Sequence, residues 1–432
     1  MRPLPRRHRR HPLAAMVAVA ATAVLPSGFA QQSRPVETQV WIDISTHHMA
    51  GMPGMGALGG LAGRMMGAGK EEMRYPTARH PAMSGQYLDV ALHNSLRPGV
   101  EAQHAIPGGL KLGKVLPLVP PTLEPTSGDY REGSPTQDIP DVEMTIHEYW
   151  GCGAAVRPGQ PKTFTMKVRG GNVQSSGSVS QGKFAPDRDI DATPAYAVWP
   201  NRKNGRRVPN GALLAGPHRI SGNGVPESLQ FELGGNAEFM PRIALNTRGQ
   251  PSDAIALDWQ PVDRARAYFI NAFAMRNQNT MVLWSSAESG GAGQGLQQYL
   301  TGGNIDRWLK EKVLLPPATT SCTIPKGIFA PTGGDPAQGG GMGGMAMLGM
   351  IAYGPETHMV WPPRPTDPEE LKRWDPEWNL RVRTKSTASA MLGMDLGAGF
   401  PSDNGSDASN DGEPRQEEGK GRKLLKGLLR TF

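Results

Sequence analysis

Beyond residue 30 the sequence has no second long apolar run, so nothing in the body of the chain predicts a membrane-spanning helix. It contains only two cysteines, Cys152 and Cys322. It lacks a G-x-S-x-G elbow, so no serine hydrolase site is signalled. His147-Glu148 begins a zinc-protease motif, but position 151 is Gly rather than the required His. Gly177 to Lys183 spells G-x4-G-K, yet Phe184 stands where a phosphate loop needs Ser or Thr on Mg²⁺, so the segment is read as a hairpin and no nucleotide partner is expected. No dispersed basic stripe with interleaved aromatics occurs, which argues against nucleic acid.

What the sequence does have begins at its N-terminus. Residues 1–30 carry five arginines and no acids, followed by an apolar run of 13 residues (LAAMVAVAATAVL) and the small-residue end SGFA. This is the layout of a secretory signal peptide, with cleavage expected after Ala30. The formal charge of +7 falls to about +2 once those arginines leave, so the high pI belongs mainly to the signal. A periplasmic or secreted location is expected. In an oxidising compartment the isolated pair Cys152 and Cys322 should be bridged. Cys152 sits between glycines near His147, so a nucleophilic thiol is the other reading of it.

Gly 55 and Pro 40 make ordinary helices scarce and favour turn-rich β structure. The expected fold is mainly β, with antiparallel β-sandwich modules, a short inserted helix, Gly/Met-rich loops and a disordered C-terminal tail. In VETQVWIDIST, Val40, Ile42 and Ile44 share a face; in GQYLDVALHNSL, Leu88, Val90 and Leu92 do the same. These read as neighbouring antiparallel strands joined by the excursion that holds Met49–Lys70. The expected division after the signal is an N-terminal β region at 31–119, a Pro-rich linker at 120–141 and a middle β region at 142–250. A further β domain at 251–395, a disordered linker at 396–420 and a basic amphipathic helix at 421–432 complete it.

The region at 251–395 carries a family resemblance. IALDWQPVDRARAYFINAF, with Trp259, Pro261, Val262, Ala265 and Tyr268, resembles the B and C strands of a fibronectin type III-like or immunoglobulin-like sandwich. MVLWSS, GMIAYGPE and WNLRVRTKS resemble its later strands, over about residues 253–390. NIDRWLKEKVLL predicts a short helix over Asn304–Leu315 with Asn304 as N-cap. The resemblance implies a sandwich and no particular activity. The whole chain is also similar to exported proteins of Gram-negative bacteria, which implies a compartment and no reaction.

Two windows concentrate methionine and histidine. Residues 49–83 hold seven methionines and residues 342–359 hold five. The candidate soft-metal ligands are His47, His48, Met49, Met52, Met55, Met65, Met66, Met342, Met345 and His358, since thioether and imidazole suit Cu(I) or Ag(I). The composition resembles Met-rich copper-resistance proteins. Against it, a Gly/Ala/Met run lacks rigidity and some methionines are expected to pack a core. In RKLLKGLLRTF, Leu424, Leu425, Leu428, Leu429 and Phe432 share one helix face, and Lys423, Lys426 and Arg430 lie opposite, which suits an anionic membrane or a partner groove. The expected function is a non-enzymatic envelope protein that binds or scaffolds a partner, with no cofactor. A periplasmic copper or silver binder is the alternative, and a hydrolase with an unrecognised site is the third reading.

Overall fold

The computed structural model describes residues 36–50, 73–81, 83–122, 141–170, 172–178, 180–185, 189–330 and 346–392. β1 (Thr38–Met49) and β2 (Gly85–Asn94) pair antiparallel, as their alternation predicts. Val40, Ile42 and Ile44 stand opposite Leu92, Val90 and Leu88, and all six are buried. β3 (Ala102–Ala105) and β4 (Val115–Leu118) form a second antiparallel pair. β5 (Val142–Trp150), β6 (Lys162–Arg169) and β7 (Asn172–Gly177) form a meander. Four short strands follow: β8 (Tyr196–Trp199), β9 (Gly216–Gly222), β10 (Gln230–Leu233) and β11 (Asn246–Arg248). The last group is β12 (Ile255–Asp258), β13 (Ala267–Asn277), β14 (Thr280–Ser285), β15 (Ser321–Ile324), β16 (Ala346–Trp361) and β17 (Trp378–Leu392).

Among the described residues these strands make one ten-stranded sheet and two smaller ones. The large sheet has the order β7-β6-β5-β14-β13-β16-β17-β1-β2-β8. A four-stranded sheet, β10-β9-β3-β4, shares a core with one half of it, where Val40, Val90, Trp199 and Leu380 meet Leu116, Leu118, Ile220 and Leu233. A three-stranded sheet, β11-β12-β15, shares a core with the other half, where Tyr268, Ile270, Trp284 and Met350 meet Leu257, Trp259 and Ile324. Residues alternate across each strand, so the core-facing side chains of both halves lie on the same face of the large sheet. Two sandwiches thus share one sheet. Val262 N–H donates to the hydroxyl of Tyr268 at 2.9 Å, inside the second core.

Cys152 and Cys322 are disulfide-bonded, with Cα atoms 5.2 Å apart across 170 residues of sequence. Cys322 lies in β15 of the three-stranded sheet and Cys152 follows β5 of the large one, so the bridge joins the two layers. A thiol nucleophile at Cys152 is thereby removed from consideration.

Three expectations differ from what forms. The boundaries near 119–142 and 250 do not separate bodies, because the large sheet takes strands from 31–119, 142–250 and 251–395 alike. The reason is β17, which pairs with β16 on one side and, in parallel, with β1 on the other; alone, its edge would expose a row of unpaired backbone groups. The inserted helix, α1 (Gly302–Lys310), starts earlier than Asn304. Its N-cap is Thr301, whose hydroxyl accepts from Asn304 N–H, and Lys312 at φ 56° ends the turn that follows it. A second short helix, α2 (Pro368–Arg373), connects β16 to β17 and is capped by Asp367. Residues 1–30, read as a signal peptide, residues 51–72, most of the segment read as a Pro-rich linker and the entire C-terminal tail lie outside the described residues.

Candidate functional site

The second face of the large sheet is unusual in chemistry. A strand puts alternate residues on opposite faces, so in β1 this face carries Trp41, Asp43, Ser45 and His47, and in β17 it carries Arg381, Arg383, Lys385, Thr387 and Ser389. Register then sets the neighbours. Asp43 is paired with Arg383 on one side and with Asp89 of β2 on the other. Asp43, Asp89, Arg383 and Lys385 are all buried, Lys385 with only 1% of its surface exposed.

Buried charges survive only when paired or hydrogen-bonded. Here Arg383 Nε donates to Asp43 Oδ1 at 2.6 Å, and its Nη2 reaches both Asp43 and Asp189. Arg79 Nε lies 3.3 Å from the other oxygen of Asp189, so the chain of charges runs Asp43–Arg383–Asp189–Arg79. Asp89 has no such partner among the described residues and accepts the backbone N–H groups of Thr77 (3.0 Å) and Ala78 (2.7 Å). Burial, with the adjacent Asp43 charge, pushes its carboxyl up to about 7 despite those two amides. The ring of Tyr299 lies against both cations, 4.5 Å from Arg383 Cζ and 4.5 Å from Lys385 Nζ.

Lys385 closes the cluster on one side. Its ammonium donates to the carbonyl of Arg79 at 2.7 Å and approaches that of Gln297 at 3.4 Å. Burial brings its pKa down to about 7, against the pull of Asp43, Asp189 and Asp89. Above it opens a cavity of about 580 Å³ whose walls include His47, His80, Asn271, Gln297, Lys385 and Ser389. His47 Nδ1 lies 2.8 Å from Thr387 Oγ1, and burial first, then the charges of Lys385 and His48, hold its pKa down to about 4. His80 is lowered too, by burial and by Lys385 and Arg79, with Asp189 opposing.

A second cavity of about 440 Å³ adjoins the first. β5, β13 and β14 supply Ile146, Phe273 and Leu283, and Phe184 covers it from the loop after β7. Asn271, Phe273 and Gln294 line both cavities, so together they form one groove of mixed polarity. Glu148 is the carboxylate of the second cavity. Its two oxygens accept from Ser180 N–H (3.1 Å) and Gly291 N–H (2.5 Å), which ties the loop after β7 to the segment after β14. The His147-Glu148 pair is therefore strand, and its acid holds loops in place. Lys183, of the phosphate-loop-like segment, donates to the carbonyl of Gly290 at 2.9 Å.

The soft-metal candidates are dispersed where they are described. His47 lines the groove; His48, the next residue of β1, is half-buried and its pKa is lowered by burial and Arg242. Met49 ends β1. His358 is exposed on β16 with Nε2 3.1 Å from Glu356 Oε1, opposite Arg381 of β17, whereas His47 is opposite Thr387, six residues further along that strand. No group of three or more His, Cys, Asp or Glu arranged to hold a metal occurs among the described residues. Met52, Met55, Met65, Met66, Met342, Met345 and the C-terminal residues Lys423 to Phe432 lie outside them.

Sequence reasoning missed the ion cluster. The signal was present as charge alternation in RVRTKS and as a lone acid between Ile42 and Ile44, but the alternate face of a strand reads as solvated until something is known to cover it.

Compared with family models, with curated proteins and with solved structures, the chain shows no match in any of the three.

Proposed function

We infer that this is an exported, non-enzymatic protein that binds or scaffolds an envelope component, and that the groove on the second face of the large sheet is the surface it uses. The observation that carries the reading is the groove itself: a concave surface of mixed polarity built on strands whose side chains are locked by the buried ion cluster beneath. Its size falls in the range of ligand sites. Export is supported by the N-terminal pattern of residues 1–30 and is compatible with the disulfide. No described helix is long and apolar enough to cross a membrane. The fibronectin type III-like reading of residues 253–390 is supported by strand partition: β12 and β15 pair in one layer, and β14, β13, β16 and β17 run consecutively in the other. The basic amphipathic C-terminal segment is assigned to an anionic membrane surface or a partner groove on sequence alone.

The test uses a photo-reactive aromatic amino acid in place of Phe184, which is exposed at the groove, and in place of Val173, which is exposed on the edge strand β7. In cells, position 184 should form a defined adduct with an envelope component and position 173 should not. Equal labelling at the two positions, or none at 184, would remove the reading.

The copper or silver alternative has one observation in its favour. The Met-rich window after β1 and the one before β16 attach at the same end of the sheet: Ala50 N–H donates to Ser389 O, and Ala346 pairs with Leu392. Cu(I) titration of the intact protein against one lacking residues 51–69 checks it; identical binding by the two would eliminate a role for that segment.

A further inference from the structure

The groove has two chemically unlike halves. In the half above the ion cluster every ionisable side chain in the wall is basic: His47, Arg79, His80 and Lys385, with no Asp or Glu among them. Arg79 is already engaged, by Asp189 and by the carbonyl of Ile190. Lys385 is not neutralised in this way, because its hydrogen bonds go to two carbonyl oxygens and no described carboxylate lies within ion-pair distance of it. Burial first, and then the charge of Lys385, disfavours protonation of both histidines. An anion in this half therefore faces a lysine whose direct hydrogen bonds go to carbonyl oxygens, with Asp43, Asp189 and Asp89 attracting it from further off.

The other half is walled by Ile146, Phe184, Phe273 and Leu283, and its one carboxylate, Glu148, is held by two backbone amides at its edge. Apart from that carboxylate, it offers an apolar surface to a hydrocarbon. The halves meet along β13, whose Asn271 and Phe273, with Gln294, line both. The geometry points to a single-chain amphipathic anion as the occupant, its hydrocarbon lying among Phe184, Phe273 and Leu283 and its carboxylate facing Lys385 and His80. This rests on the groove being the binding surface.

Each part of such a ligand is matched separately. Apolar burial would supply most of the affinity, and the basic half would fix its direction and reject the opposite charge.

Titration calorimetry of the exported full-length chain with dodecanoate, dodecyltrimethylammonium and acetate tests the assignment. Dodecanoate should bind at one site at least tenfold more tightly than the cationic amphiphile, and acetate should not bind measurably. Ala292→Trp, which fills the apolar half from a half-buried position, should abolish dodecanoate binding. His80→Glu, at an exposed position beside Lys385, should weaken it at least fivefold. Thermal unfolding of both variants confirms that they fold; if Ala292→Trp does not, Phe184→Asp takes its place at an exposed residue of the same wall. Equal affinity for the two amphiphiles, or affinity unchanged in both variants, overturns the proposal. Persistence of the position-184 adduct without dodecanoate binding would refute this ligand class alone. Loss of adduct and binding together would refute the groove as a binding surface.

Discussion

His104 and His218 pack against each other in the four-stranded sheet, with His104 Nε2 3.0 Å from His218 Nδ1 and His218 Nε2 2.8 Å from the carbonyl of Leu214. A carbonyl can only accept, so His218 carries its proton on Nε2 and its Nδ1 accepts from His104 Nε2–H. That leaves His104 Nδ1 bare and buried without a partner, and burial lowers its pKa to about 3. Because the folded pKa is depressed, the unfolded chain takes up the proton first. Stability is then complete above the unfolded value near 6.5 and falls as the pH drops toward 3, by up to about 1.4 kcal/mol per pH unit for this residue. His104→Gln keeps a donor toward His218 and should flatten the loss measured by urea unfolding between about pH 7 and about pH 4. An unchanged slope would mean that other groups set the acid limit. Asp43 and Arg383 are a different case, two buried charges that hold one another. Arg383→Met leaves the buried Asp43 without its cation and should cost about 3–5 kcal/mol in denaturant unfolding, with part of it recovered when Asp43 is also replaced by Leu. A cost near that of an exposed ion pair would contradict the arrangement.

At the scale of elements, β16 links the two sandwiches. It pairs with β17 along its length and with β13 only up to Tyr353; a register shift follows before Glu356, beyond which Met359 packs against the first core. Gly354 sits at this bulge. A Cβ there would meet the Thr384 hydroxyl and the Met240 sulfur, and would lie 2.9 Å from the Thr384 carbonyl oxygen, which is backbone and yields little. Gly354→Ala should therefore destabilise by about 1–3 kcal/mol in thermal or denaturant unfolding. A neutral substitution would show that the bulge relaxes. The strands themselves were legible in the sequence where one face was apolar and the other polar: Val40, Ile42 and Ile44 against Leu88, Val90 and Leu92, or Tyr268 and Ile270 in β13. The helix start was displaced because Gly302 and Gly303 carry poor helix propensity, and a Thr301 cap overrode it. The four-stranded sheet was barely legible, since β3, β4 and β10 are four residues each and too short for alternation to stand out. The groove was not legible at all. Its walls come from β1, β5, β13, β14, β16 and β17 and from the segments before β2, after β7 and after β14, and only tertiary pairing brings them together.

For the molecule as a whole, the Cys152–Cys322 bridge ties the three-stranded layer to the large sheet across 170 residues. On chain-entropy reasoning, closing a loop of that size restricts the unfolded chain by about 5 kcal/mol, and removing native disulfides costs about 2–5 kcal/mol. Thiol titration of denatured, unreduced protein should find no free thiol, and paired Cys→Ser replacement should lower stability by that amount. Two titratable thiols would exclude the bridge.

Parallel pairing of β1 with β17 has a mechanical meaning. Thr38 lies beside Trp378 and Met49 beside Ser389, so tension between the two ends of the chain enters β1 at its start and β17 at its finish. Those points are at opposite ends of the paired stretch, and the twelve paired positions carry the load together, in shear. Forced unfolding is governed by the barrier rather than by equilibrium stability. Single-molecule stretching from the chain ends should require more force than stretching from handles at Thr38 and Trp378, which peels the same strands apart one pair at a time. Equal forces in the two geometries would place the first yielding element elsewhere. A chain that spans from a surface to a bound partner would meet tension along the one direction in which its first and last described strands resist it best.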